Sequence, residues 1–128
     1  MAGADVFSER LNRLFAVVYP PDRGPYTNAE VIAGLARRDT DLSAPYLSQL
    51  RSGHRAHPSI PVIVALSDFF GVRPSYLRNN DPDYCEALDT ELTWMEMARD
   101  ERLRELVSSV LELPADIRDE ALAEVAAR

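Results

Sequence analysis

Three hydroxyl residues punctuate this chain. Thr27, Ser43 and Ser59 each stand just before an apolar-periodic stretch. At that position a side-chain oxygen accepts a hydrogen bond from an otherwise unpaired amide of a helix's first turn. Thr27-Asn28-Ala29-Glu30 has the spacing of a capping box, and Val31, Ile32 and Leu35 then face inward. Asp39-Thr40-Asp41 interrupts the pattern with turn-type residues. Ser43 opens a short helix that Gly53 ends, and His54 to Pro58 forms a loop. Ser59 opens the next helix, with Pro61 tolerated in its first turn and Gly71 closing it. Its apolar face is Val62, Ile63, Leu66, Phe69 and Phe70. Upstream, Phe7, Leu11, Leu14, Phe15 and Val18 recur at helical spacing until Tyr19-Pro20-Pro21 stops the run. Pro74 to Leu77 begins a further helical turn. No segment alternates as a strand would, so the expected fold class is all-α.

Asn79-Asn80-Asp81-Pro82 marks a boundary, giving a head over 1–80 and a tail over 81–128. Asp83 to Leu113 contains no Gly or Pro, so one helix of about 45 Å is expected there. Leu88, Leu92 and Met95 form one apolar stripe segment, with Trp94 beside it, and Leu103, Leu106, Val107 and Val110 form another. Pro114 breaks the run, and Asp116 to Ala127 reads as a last helix with Ile117, Ala121, Leu122 and Val125 inward. These stripes exceed what one short tail can bury, which makes the tail a dimerisation region.

Composition excludes several classes. A membrane span needs about 20 continuous apolar residues, and the sequence has no such run. The N-terminus lacks the basic-then-apolar pattern of a signal peptide. The single cysteine, Cys85, forms no intrachain disulfide and nucleates no metal site alone, so a reducing cytoplasm is the default compartment. His54 and His57 have no nearby cysteine or carboxylate to complete a metal site. There is no Ser/His/Asp order and no glycine-rich phosphate loop, and no enzyme, cofactor or small-molecule ligand is expected.

Net charge is −7, which looks hostile to an anionic partner. Its distribution points the other way. Residues 1–80 hold nine arginines against seven acidic residues, whereas 81–128 hold five against fourteen. Leu42 to Ser67 contains no acidic residue at all, yet carries Arg51, His54, Arg55 and His57. The local field, more than the total, governs the approach of a phosphate backbone.

The helix from Ala44 to Ser52 divides sharply when wound at 100° per residue. With Ala44 at zero, Ser48, Ser52, Pro45 and Gln49 fall at about 40°, 80°, 100° and 140°. Tyr46, Leu50 and Leu47 fall at about 200°, 240° and 300°. One side is small and hydrogen-bonding, and the other is an apolar anchor. Such a helix enters a DNA major groove without bulk: Gln49 pairs with adenine through two hydrogen bonds, Ser48 donates or accepts, and Ala44 and Pro45 touch a thymine methyl. Arg51 flanks this face, and with Ser52, His54, Arg55 and His57 it suits phosphate contacts, which position without specifying. The capped helix start at Thr27 and Asn28 offers amides to another phosphate.

Tyr46-Leu47-Ser48-Gln49-Leu50-Arg51-Ser52-Gly53, followed by Pro58-Ser59, by Ala65-Leu66-Ser67-Asp68-Phe69-Phe70-Gly71-Val72 and by Tyr76-Leu77, resembles the lambda-repressor-like (XRE) helix-turn-helix family. The resemblance implies double-stranded DNA binding through Ala44, Pro45, Ser48 and Gln49, dimerisation through the C-terminal helices, and a regulatory or DNA-organising role in the bacterial nucleoid. Pairing of dimers on DNA is consistent with it. The chain departs from the compact pattern between Thr27 and Ser43, where the connection from Arg37 to Leu42 must bulge or the second helix must lengthen. A protein-interaction adaptor or antitoxin-like module on the same fold is the alternative, with the acidic tail holding the partner.

Overall fold

The computed structural model describes residues 2–55 and 57–127; the side chains of residues 2–5 and of Val125 lie outside that description, and with them the inward placement expected for Val125. The described residues form eight helices and no strand: α1 (Ala2–Val17), α2 (Asn28–Ala36), α3 (Ala44–Ser52), α4 (Ile60–Phe70), α5 (Pro74–Arg78), α6 (Pro82–Arg99), α7 (Glu101–Leu111) and α8 (Ala115–Ala126). The fold is all-α. None of these helices is long and apolar enough to cross a membrane.

The three hydroxyls cap as their spacing predicts. Thr27 accepts from the amide of Glu30 and completes a capping box, Ser43 accepts from Tyr46, and Ser59 accepts from Val62. Gly53 and Gly71 close α3 and α4 with φ of 83° and 73°. Only glycine adopts such backbone without a side-chain penalty.

The long connection after α2 has a specific geometry. The helix ends at Ala36, and the chain turns off through Asp39 at φ 57°. The Thr40 amide donates to the Leu35 carbonyl at 3.0 Å, and the Asp39 amide donates to Ala36 at 3.1 Å. This is the hydrogen-bond pattern of a Schellman closure, with a tolerated aspartate where glycine is usual. The extra residues therefore neither lengthen α2 nor loop out at random; they end it and deliver buried Leu42 and capping Ser43 to the start of α3.

The first of two compact units runs to Thr90, past the compositional boundary at 80/81. In it α1 packs on α3 and α5, α2 packs on α3 and α4, and α4 packs on α5. The core is Phe7, Leu11, Leu14, Phe15, Val31, Leu35, Leu47, Leu50, Leu66 and Phe70, all buried. Each such side chain contributes about 1.5–3 kcal/mol on leaving water. Val17 is buried where periodicity favours Val18, which stays half-exposed after the helix ends. The start of α6 completes this unit. The Tyr76 hydroxyl donates to Asp89 Oδ1 at 2.7 Å, the Arg73 amide donates to the Tyr84 hydroxyl at 3.0 Å, and Cys85 and Leu88 are buried. Tyr76 is fully buried, and that burial together with Asp89 drives its phenol well above the ordinary range.

The second unit starts at Glu91. The single helix expected over 83–113 is interrupted: Asp100 leaves helical geometry and its carboxylate accepts from the amides of Arg102 and Leu103. An aspartate at such a position ends one helix by capping the next, with no glycine or proline needed. The chain turns again at Glu112–Pro114, and α7 packs on α8.

Ser67 is fully buried and its hydroxyl has no hydrogen-bond partner among the described residues. An unpaired buried hydroxyl carries a desolvation cost that alanine lacks. Ser67→Ala is therefore expected to raise stability by about 1 kcal/mol. A higher urea midpoint at unchanged slope is the sign of this, and a lower midpoint would contradict it.

Candidate nucleic-acid interface

Helix α3 is anchored on one side and open on the other. Leu47 and Leu50 are completely buried, whereas Ala44, Pro45, Ser48, Gln49 and Ser52 are exposed. Tyr46 lies at the margin, half-exposed. The four expected base-contacting residues thus share one accessible face, and none of them is needed for the core.

Two sets of contacts with the rest of the head fix its position. The first comes from α1. Asn12 Nδ2 donates to the Arg51 carbonyl at 2.7 Å, while Asn12 Oδ1 accepts from Arg51 Nε at 2.8 Å. The second is the Arg51 side chain itself. Its Nη1 donates to Asn28 Oδ1 at 2.8 Å, and its guanidinium lies 3.8 Å from the Phe15 ring centroid. Burial lowers its pKa from the ordinary arginine value. Arg51 therefore ties α1, α2 and α3 together, and its charge is directed into the head. Asn12 holds α3 through Arg51, yet no local sequence signal marks it, because its partner stands 39 residues away.

The start of α2 is also more occupied than a bare helix N-terminus. The Thr27 amide donates to Glu30 Oε1 at 2.9 Å and its hydroxyl accepts from the Glu30 amide at 3.1 Å, so both groups are engaged locally. Arg23 grips the same carboxylate with two hydrogen bonds, at 2.6 and 2.7 Å, and stacks over Tyr26. The Arg23 hydrogen bonds and then the Thr27 amide hold the Glu30 carboxyl down to about 2. A depressed carboxyl pKa stabilises the folded state above the ordinary value and loses that contribution as pH falls toward the folded one. A carboxyl titration followed by NMR is expected to place the Glu30 midpoint near 2, and Arg23→Ala to move it back up toward the ordinary carboxylate range. A midpoint unmoved by that substitution would contradict the pairing.

After Gly53 the chain folds back onto α3. Ser52 Oγ and His54 Nδ1 are 2.5 Å apart, and Arg55 Nε donates to Gln49 Oε1 at 3.2 Å. His57 is exposed, and Ala56 lies outside the described residues. Ser52, His54 and Arg55 are thus gathered beside the open face of α3, while Asn28 and Arg51 are turned to holding it in place. Among the described residues no group of three or more His, Cys, Asp or Glu is arranged to hold a metal ion.

The tail residues divide into two sets. Leu88 belongs to the first unit, and Leu88, Leu92 and Val110 are buried within a single chain. Leu103, Val107 and Leu122 are half-exposed. Trp94, Met95, Leu106 and Ile117 are exposed, as are Leu111 and Leu113, which the helical stripes do not single out.

No family model matches the chain. Two relatives do, both called nucleoid-associated protein EspR, from Mycobacterium tuberculosis strains CDC 1551 / Oshkosh and ATCC 25618 / H37Rv. Each is 47% identical over 116 residues, which is 91% of this chain and 86% of the relative. At that identity and coverage, with an all-helical fold, this chain belongs to the EspR family.

Proposed function

We propose that this chain is a sequence-specific regulator that binds double-stranded DNA as a dimer, with α3 in the major groove. The observation that carries this reading is the exposed row of Ala44, Pro45, Ser48 and Gln49 above the fully buried Leu47 and Leu50. The acid-free stretch from Leu42 to Ser67 surrounds that row. Major-groove readers need such a face, small enough to enter and polar enough to bond base edges. Ser52, His54, Arg55 and His57 approach the phosphates, which fixes the register. Arg51, Asn28 and Asn12 act one step back by holding α3 against α1 and α2. The description of the relatives as nucleoid-associated supports a place on bacterial chromosomal DNA.

A single head makes few contacts. Two heads held about one helical turn apart, roughly 34 Å, read two half-sites together. Trp94, Met95, Leu106 and Ile117, exposed on the second unit, supply the apolar surface for that pairing, extended by Leu111 and Leu113. The acidic excess of this region keeps it off the duplex.

Gln49→Ala is expected to reduce discrimination between the preferred duplex and a scrambled one by about 1–3 kcal/mol, with little change on the scrambled duplex. Equal losses on both duplexes would remove Gln49 from base readout.

A further inference from the structure

Gln49 does not stand free at the reading face. Its backbone carbonyl accepts from Ser52 Oγ at 3.2 Å and from the amides of Gly53, His54 and Arg55, the last two at 3.0 and 3.3 Å. These bonds fold residues 53–55 back over the end of α3. The fold-back brings Arg55 Nε to 3.2 Å from Gln49 Oε1. Arginine only donates, so the amide atom facing it must be the oxygen. Both side chains are exposed, and among the described residues nothing holds Gln49 Nε2 or the two Nη atoms of Arg55.

The geometry points to Arg55 as a specificity-determining residue: it converts Gln49 from an adenine reader into half of a donor-only pair that reads guanine. This rests on the reading that α3 enters the major groove. An unassisted glutamine recognises adenine by donating to N7 and accepting from the N6 amino group. Here a guanidinium takes one of that oxygen's two acceptor positions. An adenine N6 amino group reaching for the other would approach a cation and its N–H groups, donor beside donor. Guanine presents acceptors at both N7 and O6. The Gln49 amide and the remaining Arg55 N–H groups match that edge together. Arg55 therefore does more than neutralise a phosphate, and it acts on specificity partly through Gln49.

Selection from a randomised duplex library tests this, using the unmodified chain, Gln49→Ala and Arg55→Ala. Arg55 is exposed, so circular dichroism is expected to show both variants folded. The position that becomes indifferent in Gln49→Ala is expected to be guanine for the unmodified chain and to move toward adenine in Arg55→Ala. Anisotropy titrations on two duplexes differing only by G or A at that position are expected to give a preference for guanine on the order of tenfold, lost or reversed in Arg55→Ala. Adenine preferred by the unmodified chain would overturn the proposal. So would an Arg55→Ala loss equal on both duplexes with a salt slope smaller by about 0.9, the signature of a phosphate contact alone. If Gln49→Ala leaves every selected position unchanged, the docking of α3 itself fails, and the guanine assignment fails with it.

Discussion

A chain ending at Thr90 is expected to fold and remain monomeric, whereas one ending at Asn80 is expected to lose most of its stability. The difference lies in the first turns of α6. Cutting at Asn80 leaves the hydroxyl of fully buried Tyr76 without Asp89, removes Tyr84 from the Arg73 amide and ring stack, and uncovers the surface sealed by Cys85 and Leu88. An orphaned buried hydroxyl costs about 1–3 kcal/mol, and the loss of one buried leucine costs about 2 kcal/mol. Together that is about 4 kcal/mol, a large part of the 5–15 kcal/mol typical of a domain. Thermal melts of the two truncations are the check, with the Asn80 form melting much lower. Light scattering on the Thr90 form then reads the role of the second unit. A monomer is expected, with DNA affinity lower by about 100-fold or more because two half-sites are no longer engaged together. A dimeric Thr90 form would place the pairing surface in the head and overturn the assignment to Trp94, Met95, Leu106 and Ile117.

Arg51→Ala is expected to be nearly as damaging. It removes a stack on Phe15 and charged hydrogen bonds to Asn12 and Asn28. Together these are worth about 3 kcal/mol, since a partly desolvated cation–π contact reaches about 2 and hydrogen bonds from a charged donor about 1.5–3, with incomplete additivity. Arg51→Lys is not expected to restore it, because an ammonium offers neither the planar fork nor the stacking surface. Chemical denaturation measures the loss of stability. DNA titration at several salt concentrations separates positioning from phosphate contact. A positioning residue weakens binding with an unchanged salt slope, whereas a lost phosphate contact lowers the slope by about 0.9.

What was legible in the sequence is what local chemistry dictates. Thr27, Ser43 and Ser59 announce helix starts because a cap is a contact within three residues, and Gly53 and Gly71 announce ends because they adopt positive φ. The two faces of α3 follow from helical geometry, since Leu47 and Leu50 need only face away from Gln49. Asp100 was harder to read. A polar residue in a stretch without glycine or proline looks like helix surface until its carboxylate is seen on the amides of Arg102 and Leu103. Arg51 sits at the margin between the faces of α3, and whether it turns outward or inward depends on Asn12 and Asn28, which periodicity does not connect to it. Leu88 shows the same limit. An apolar stripe reads identically whether its own head or a second chain covers it, so the compositional boundary at 80/81 precedes the end of the first unit at Thr90.

The acid-free stretch from Leu42 to Ser67, with Arg51, His54, Arg55 and His57, is expected to bring the head onto a phosphate backbone despite a net charge of −7. Fluorescence anisotropy of residues 1–128 against a labelled random-sequence duplex of about 40 base pairs, over a series of salt concentrations, is the measurement. Binding at low salt that weakens steeply as salt rises is expected, with a slope of about 0.9 per phosphate contacted. No binding at low salt, or binding indifferent to salt, would contradict it.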